Sequence, residues 1–449
     1  MINTEKLAVF SHLDGQWAPC GLLSLTEDGS QTKGSSFVYG SRYLERANAL
    51  EVDPVALGLQ DKSDIKGKAL FPPAGLPLFG GIRDAAPDAW GRRVIESKLK
   101  VSPNSLPEST YLLHAGSDRV GALDIRQNLK SDATVGITEI KSLQYLIEAA
   151  DRIEEGLPVP ANLESIFVAG TALGGARPKA SVRDRDGVLW LAKFSGRKEH
   201  INLPWVEYGT LQLAKEIGLV VPAVKVEKVG NRTAMLIQRF DRYWDLPDAP
   251  PVHAGAAALA LANPAGGRIE KRLAFISGLT LLGCHEADSM TKSYGDLANA
   301  IRKHCHPEVV VADNKDLYRR MVYNIFVTNA DDHLRNHGFV WDPKHLGWRL
   351  SPLYDVTPNA SVAHDRYLHL SVGPQGKHAH LDNALASHSW FRLSQKDAAQ
   401  LIAQVWDKVR QWKVSFEASG VPGDQIEKIA TAIRHIDEVT SADGRRKIS

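Results

Sequence analysis

The sequence predicts an α+β protein that runs from β-rich through mixed to helical. Three observations carry that expectation. Short apolar runs broken by turn dipeptides fill residues 1–60 and recur from about 163 to 240. A stretch rich in Pro, Ala and Gly and poor in charge runs from Pro247 to Gly267. From Arg268 onward the apolar residues recur mainly at helical spacing.

In chain order, Leu7–Ser11, Trp17–Leu25 and Ser36–Gly40 read as strands. They are split by Asp14-Gly15 and Asp28-Gly29, both hairpin dipeptides. Arg83 to Glu96 begins as a loop and becomes a helix. Residues 138–155 are helical, with Leu143, Leu146, Ile147 and Ala150 on one face. Ala180–Arg183 and Val188–Phe194 are strands joined across Arg185-Asp186-Gly187. Glu207 opens a helix that ends near Ile217, with Gly218 as its C-cap. Val224–Val229 and Ala234–Phe240 flank Gly230-Asn231, another hairpin. Pro247–Gly267 reads as an inserted flexible loop at a lobe boundary; a short helix in its Ala-rich middle is the competing reading. Helices follow over 271–283, 293–304, 315–328, 394–415 and 424–440, interrupted by one hairpin, Gly338–Trp341 with Gly347–Leu350. The resulting boundaries are 1–130, 131–243, a linker 244–268, and 269–449.

Composition excludes several classes. The chain of 449 residues is 43% hydrophobic and 24% charged, with a net charge of +2, so no global basic field advertises nucleic acid or membrane. Three cysteines, Cys20, Cys284 and Cys305, are too few for a disulfide framework. His304-Cys305-His306 lacks a second ligand pair at zinc spacing and reads as a helix end. The N-terminus has no apolar signal region, and no window reaches 18 apolar residues without charge. A cytoplasmic protein without membrane partners is the expectation.

The most informative stretch is Asn329-Ala330-Asp331-Asp332-His333-Leu334-Arg335-Asn336. A carboxylate is followed five positions later by an amide, and Asp355 follows Asn336 after another nineteen. Phosphoryl transfer from ATP needs such groups. A carboxylate accepts the proton of the attacking hydroxyl, and an Asn and a second Asp give oxygens to Mg²⁺ on the phosphates. Asp332 rivals Asp331 as the base; the five-residue step to Asn336 favours Asp331. His333 reads as a brace for the loop. The crowding of polar residues directly after the apolar helix Val322–Val327 has no ready structural explanation in the sequence.

Upstream, Gly170 to Lys179 is a glycine-rich loop, with Gly174 and Gly175 placed to let backbone amides approach phosphate and Arg177 and Lys179 adding charge. Lys193 lies in an apolar strand, and Glu207 is a partner for it. Strand Lys followed by helix Glu is the kinase order. Gln238-Arg239-Phe240-Asp241-Arg242 ends the last strand before the linker, where a kinase hinge would bond adenine.

Together these stretches resemble the HipA-like kinase family, the toxin arm of bacterial HipBA-type toxin–antitoxin modules. The resemblance rests on Phe37-Val-Tyr, Pro72 to Gly91, Gly-Gly-Ala-Arg-Pro-Lys179, Lys193, Val206-Glu-Tyr, Arg239-Phe-Asp-Arg, the Asn329–Asn336 run and Pro352-Leu-Tyr-Asp355. It implies a protein-kinase-like two-lobed fold, with a β-rich N-terminal lobe carrying an extra β subdomain and a mostly helical C-terminal lobe. It implies ATP- and Mg²⁺-dependent phosphorylation of a protein Ser or Thr, with targets such as an aminoacyl-tRNA synthetase, hence growth arrest and persistence. It implies a HipB-like helix-turn-helix antitoxin as partner, and operator DNA only through that antitoxin. Carried over, Asp331 is the catalytic base and Asn336 and Asp355 bind Mg²⁺. Lys193 contacts the α- and β-phosphates, Glu207 and His333 support the nucleotide site, and Lys179 lies near the phosphate loop with Gly174 and Gly175. Gln238 and Phe240 hold adenine through their backbones.

Two departures from the family stand out. The column that often carries an autophosphorylated Ser is Ala172 here, with Thr171 adjacent, and the 247–267 insertion has no assigned role. The alternatives are a nucleotide-binding pseudokinase acting as an antitoxin-bound corepressor, and a metal-dependent phosphohydrolase or nuclease using Asp331, Asp332, His333 and His337.

Overall fold

The computed structural model describes residues 2–134, 139, 142–170, 175–196, 199–245 and 269–448. Thr171, Ala172, Gly174 and the 247–267 insertion lie outside the described residues. The chain divides into two compact units, residues 1–197 with 228–276, and residues 198–227 with 277–449.

Among the described residues, the first unit holds two larger antiparallel sheets and a two-stranded one. Strands β1 (Ile2–Leu13), β2 (Gln16–Asp28), β3 (Gln31–Tyr39) and β4 (Leu123–Arg126) form one, in the order β3-β2-β1-β4. The predicted hairpin turns are there. Asp14 and Gly15 take φ of 48° and 87°, and Gly29 takes 59°, as tight turns between twisted strands require. Leu7, Val9, Leu23, Leu25 and Phe37 are fully buried, joined by Phe79 and Ile82 from the following segment. The second sheet pairs β5 (Lys179–Arg183) with β6 (Leu189–Phe194), and β6 with β8 (Arg232–Gln238). The unit boundary falls inside β7 (Val224–Val229), which leads into β8 through Gly230.

A buried ionic cluster lies among these elements. Asp241 accepts from Arg239 Nη2 at 2.6 Å, Arg242 Nη1 at 2.8 Å and the Gly121 amide at 2.7 Å. Arg119 and Arg126 share Asp124. Arg272 pairs with Asp118 at 3.4 Å, and its guanidinium covers the Trp17 ring.

His12 is buried beside this cluster, edge-on to Trp17. Burial and the Arg272 charge push its ring down to about 3. A histidine held below its unfolded value of about 6.5 resists protonation when folded. The unit therefore keeps its full stability above that pH and loses it as pH falls toward 3. The slope is about 1.4 kcal/mol per pH unit. His12→Phe should flatten this dependence; equal acid sensitivity of both proteins in denaturant titrations would exclude His12 as its source.

Strands β9 (Arg242–Asp245) and β10 (Ile269–Arg272) pair, and β11 (Phe275–Ser277) follows. The predicted helix over 271–283 is corrected here. A strand end, β11 and a single helical turn, Gly278–Leu281, occupy it, because a short apolar run such as Leu273–Leu282 carries no period that distinguishes strand from helix.

The second unit is mainly helical: Leu203–Glu216, Tyr294–His304, Val310–Val327, Gln395–Val409 and Trp412–Ala418, with the hairpin β12 (Gly338–Asp342) and β13 (Gly347–Leu350). Glu207 does not open its helix. Leu203 does, with Pro204 in the first turn where its missing N–H costs nothing. Gly218 ends it with φ of 83°, as expected. The predicted 394–415 helix breaks after Val409, and 424–440 is helical only over Gly423–Lys428 and a short 3₁₀ turn at Ile436–Glu438. Gly209 is needed where its helix meets Phe416: an added Cβ would sit 2.8 Å from that ring. Among the described residues, no helix is long and apolar enough to cross a membrane.

Candidate active site

The helical unit builds a loop directly after helix Val310–Val327. That helix stops at Thr328, which takes the left-handed conformation (φ 51°). The chain then turns so that the Asp331 carbonyl accepts from the His333 amide and from Asn336 Nδ2, both at 2.9 Å. This second bond explains the five-residue spacing: the amide closes the loop onto the backbone of the carboxylate residue. Spending the Asn336 N–H this way leaves its Oδ1 as the atom suited to a cation.

The two aspartates part company in the structure. Asp331 is exposed. Asp332 is buried and accepts hydrogen bonds from Tyr294 Oη and from His337 Nε2, the latter at 2.9 Å. Burial raises its pKa, but the His337 charge and these two bonds outweigh that and hold the carboxyl below the usual range. Asn329 is also buried and donates to Asn324 Oδ1 at 3.2 Å. The polar crowding thus has a partly structural cause after all. Asn329 and Asp332 serve a buried network, and the sequence held no sign of Tyr294 as the partner of Asp332, since that residue lies far upstream.

Asp355 is half-buried with φ of 59°. A non-glycine residue in this region costs energy and is characteristic of functional segments. The preceding Tyr354 donates its hydroxyl to the Arg335 carbonyl at 2.7 Å. The segments carrying Asp355 and Asn336 are therefore joined one residue before each. A carboxylate and an amide oxygen are the hard donors that suit Mg²⁺. His333 faces His369 edge-on, with ring centroids 5.8 Å apart, and His369 Nε2 bonds Ser289 Oγ at 2.9 Å. Burial and the His333 charge lower the His369 pKa. Among the described residues, no three His, Cys, Asp or Glu side chains are grouped to hold a metal.

The β-rich unit carries the cationic residues. Lys179 and Lys193 face each other in the β5–β6 register and so lie on one face of the sheet. Gly175 has φ of 94°, and an added Cβ there would overlap Lys179 Nζ, so the ammonium rests against the glycine backbone. Trp90, whose Asp-Ala-Trp-Gly run carries the family resemblance but no site role in the sequence, is fully buried at this point. Its indole donates to the Lys179 carbonyl at 2.8 Å, and its amide to the Gly175 carbonyl at 3.2 Å. Gln238 pairs with Trp190 and is buried, its Nε2 without a partner among the described residues. Phe240 is half-buried, tilted against Phe275 at 6.2 Å. Glu207 is buried on helix Leu203–Glu216, in the helical unit.

Residues 171–413 match the HipA-like C-terminal domain family. A Sinorhizobium fredii protein named "Putative kinase Y4mE" is 26% identical over 331 residues, 71% of each chain. The serine/threonine-protein kinase toxin HipA of Shewanella oneidensis is 28% identical over 153 residues, 33% of each. The Shewanella HipA solved with HipB and its operator DNA is similar over 98% of this chain and 95% of that one, with a TM-score of 0.64 and 16% identity. That likeness establishes the fold as α+β and protein-kinase-like.

Proposed function

The chain belongs to the HipA-like C-terminal domain family, and from that premise we propose that it is an ATP- and Mg²⁺-dependent protein Ser/Thr kinase. One observation carries the reading: an exposed carboxylate, Asp331, whose carbonyl is closed onto Asn336, next to a segment that holds Asp355 in a strained conformation. Asp331 takes the proton of the attacking hydroxyl. Asn336 and Asp355 hold the metal, which when bound neutralises charge on the phosphates. Lys193 and Lys179 bind phosphate oxygens, with Glu207 supporting Lys193. Gln238 and Phe240 present backbone groups to adenine, and His333 braces the loop. The proposed organisation is an N-terminal β subdomain (1–130), a small lobe (131–243), a linker (244–268) and a helical lobe (269–449). The physiological reading is a toxin acting in the cytoplasm that arrests growth by phosphorylating a translation component such as an aminoacyl-tRNA synthetase, restrained by a HipB-like antitoxin. The relative solved with HipB and operator DNA supports the partner by analogy.

The phosphohydrolase alternative loses ground because two of its donors, Asp332 and His337, are buried against each other. The deciding experiment incubates the full chain with [γ-³²P]ATP, Mg²⁺ and a cell extract. Phosphoserine or phosphothreonine in protein supports the kinase; ATP hydrolysis without phosphoprotein would refute it.

Gly175→Ala offers a separate test. The backbone strain at φ 94° amounts to about 1–3 kcal/mol, and the new Cβ displaces the Lys179 ammonium. ATP affinity measured by calorimetry should fall about 10-fold. An unchanged Kd would separate Gly175 and Lys179 from the nucleotide.

A further inference from the structure

We propose that Tyr294 is a positioning residue for phosphoryl transfer, acting through Asp332 and His337 to set the spacing of Asp331 and Asn336. The inference rests on the roles given to Asp331 and Asn336 above. Tyr294 starts the helix Tyr294–His304, whose N-terminus is fixed by a reciprocal cap between Ser293 and Asp296. The Tyr294 amide also donates to the Ser371 carbonyl at 3.1 Å. The residue is fully buried, so its hydroxyl has one fixed direction. That hydroxyl donates to Asp332 Oδ2 and accepts from Asn324 Nδ2 at 3.2 Å.

Asp332 and His337 flank the two functional side chains, one directly after Asp331 and the other directly after Asn336. Their 2.9 Å contact ties the ends of the loop together, in parallel with the bond from Asn336 Nδ2 to the Asp331 carbonyl. The far end is seated on backbone. The Gly278 amide donates to the His337 carbonyl at 2.7 Å, and an added Cβ at Gly278 would lie 2.8 Å from the Leu334 carbonyl oxygen. A buried carboxylate needs donors for its lone pairs, and those donors here come from a tyrosine and a histidine that touch no solvent. Removing the tyrosine hydroxyl leaves Asp332 short of one donor, and the carboxylate then shifts to find another. Asp331 and Asn336 move with it. Misplacement by about 1 Å costs on the order of 100-fold in rate.

The test compares the full wild-type chain with Tyr294→Phe, using label transfer from [γ-³²P]ATP into extract protein. The maximal rate should fall about 10- to 100-fold, with KM for ATP within about 2-fold and a several-fold higher Mg²⁺ midpoint, because the base and a metal ligand are displaced together. A merely structural tyrosine would lower thermal stability and the active fraction without moving the Mg²⁺ midpoint, and that result overturns the proposal. At His337, Gln keeps an N–H for Asp332 and should retain most of the rate, whereas Leu should not. Equal rates of His337→Gln and His337→Leu overturn the proposal even where Tyr294→Phe yields no folded protein. If Asp331→Asn is inactive while Tyr294→Phe matches wild type, only this inference fails; if Asp331→Asn retains transfer, the underlying reading fails.

Discussion

Asp331→Asn is expected to lower phosphoryl transfer by about 10²–10⁴-fold, the usual contribution of a positioned general base. The amide keeps the size of the carboxylate but accepts no proton at neutral pH. The loop should survive the change, because its closure uses the Asp331 backbone carbonyl, bonded by Asn336 Nδ2 and the His333 amide. The exposed side chain takes no part in the buried network around Asp332. ATP affinity should therefore stay within about 3-fold, so that the loss falls in the maximal rate rather than in binding. The counterpart Asp332→Asn should behave differently, with reduced thermal stability as well as reduced rate, since it alters a buried carboxylate. Full transfer by Asp331→Asn, with folded protein confirmed by its melting curve, would remove Asp331 from the mechanism.

The second large effect concerns stability. Asp241→Asn should destabilise the β-rich unit by about 3–5 kcal/mol, the typical result of removing one partner from a buried ion pair. Asp241 is almost fully buried and bonded by Arg239, Arg242 and the Gly121 amide. Burial pushes its carboxyl upward, but the two guanidinium charges outweigh that and hold it well below the usual carboxylate range. The sign follows. A folded pKa below the unfolded value of about 3.9 gives stability that is present above that pH and lost as pH falls beneath it. Acid sensitivity should thus begin with His12, from about pH 6.5 downward, and deepen below about pH 4 as Asp241 and its like protonate. The variant should be weaker at neutral pH and should lack its share of the deeper acid phase. A denaturant midpoint matching wild type at pH 7 would show that the arginines find other partners.

Much of the architecture was legible because its causes are local. Asp14-Gly15 and Asp28-Gly29 mark hairpins since turn chemistry depends on the turn residues themselves. Helix 294–304 begins where Ser293 and Asp296 cap each other. The Asp331–Asn336 spacing stood out in the sequence because it spans one chain closure over five residues. The helix predicted over 271–283 failed for the opposite reason. Its apolar residues fit either element, and pairing with distant strands decided between them.

By itself, then, the sequence determined the hairpin turns, the Gly218 cap, the strands β1–β3 and β5–β8, and which residue types to expect at a phosphoryl-transfer site, because each depends on neighbours within a few positions, whereas β4 went unread. Only the tertiary structure decided which aspartate faces solvent and which is locked away. It also decided that Trp90 supports Lys179 and Gly175, and that Tyr294 anchors the loop. Those outcomes depend on burial and on donors supplied from tens of residues away, and a buried polar group is stable only where the fold brings it a partner.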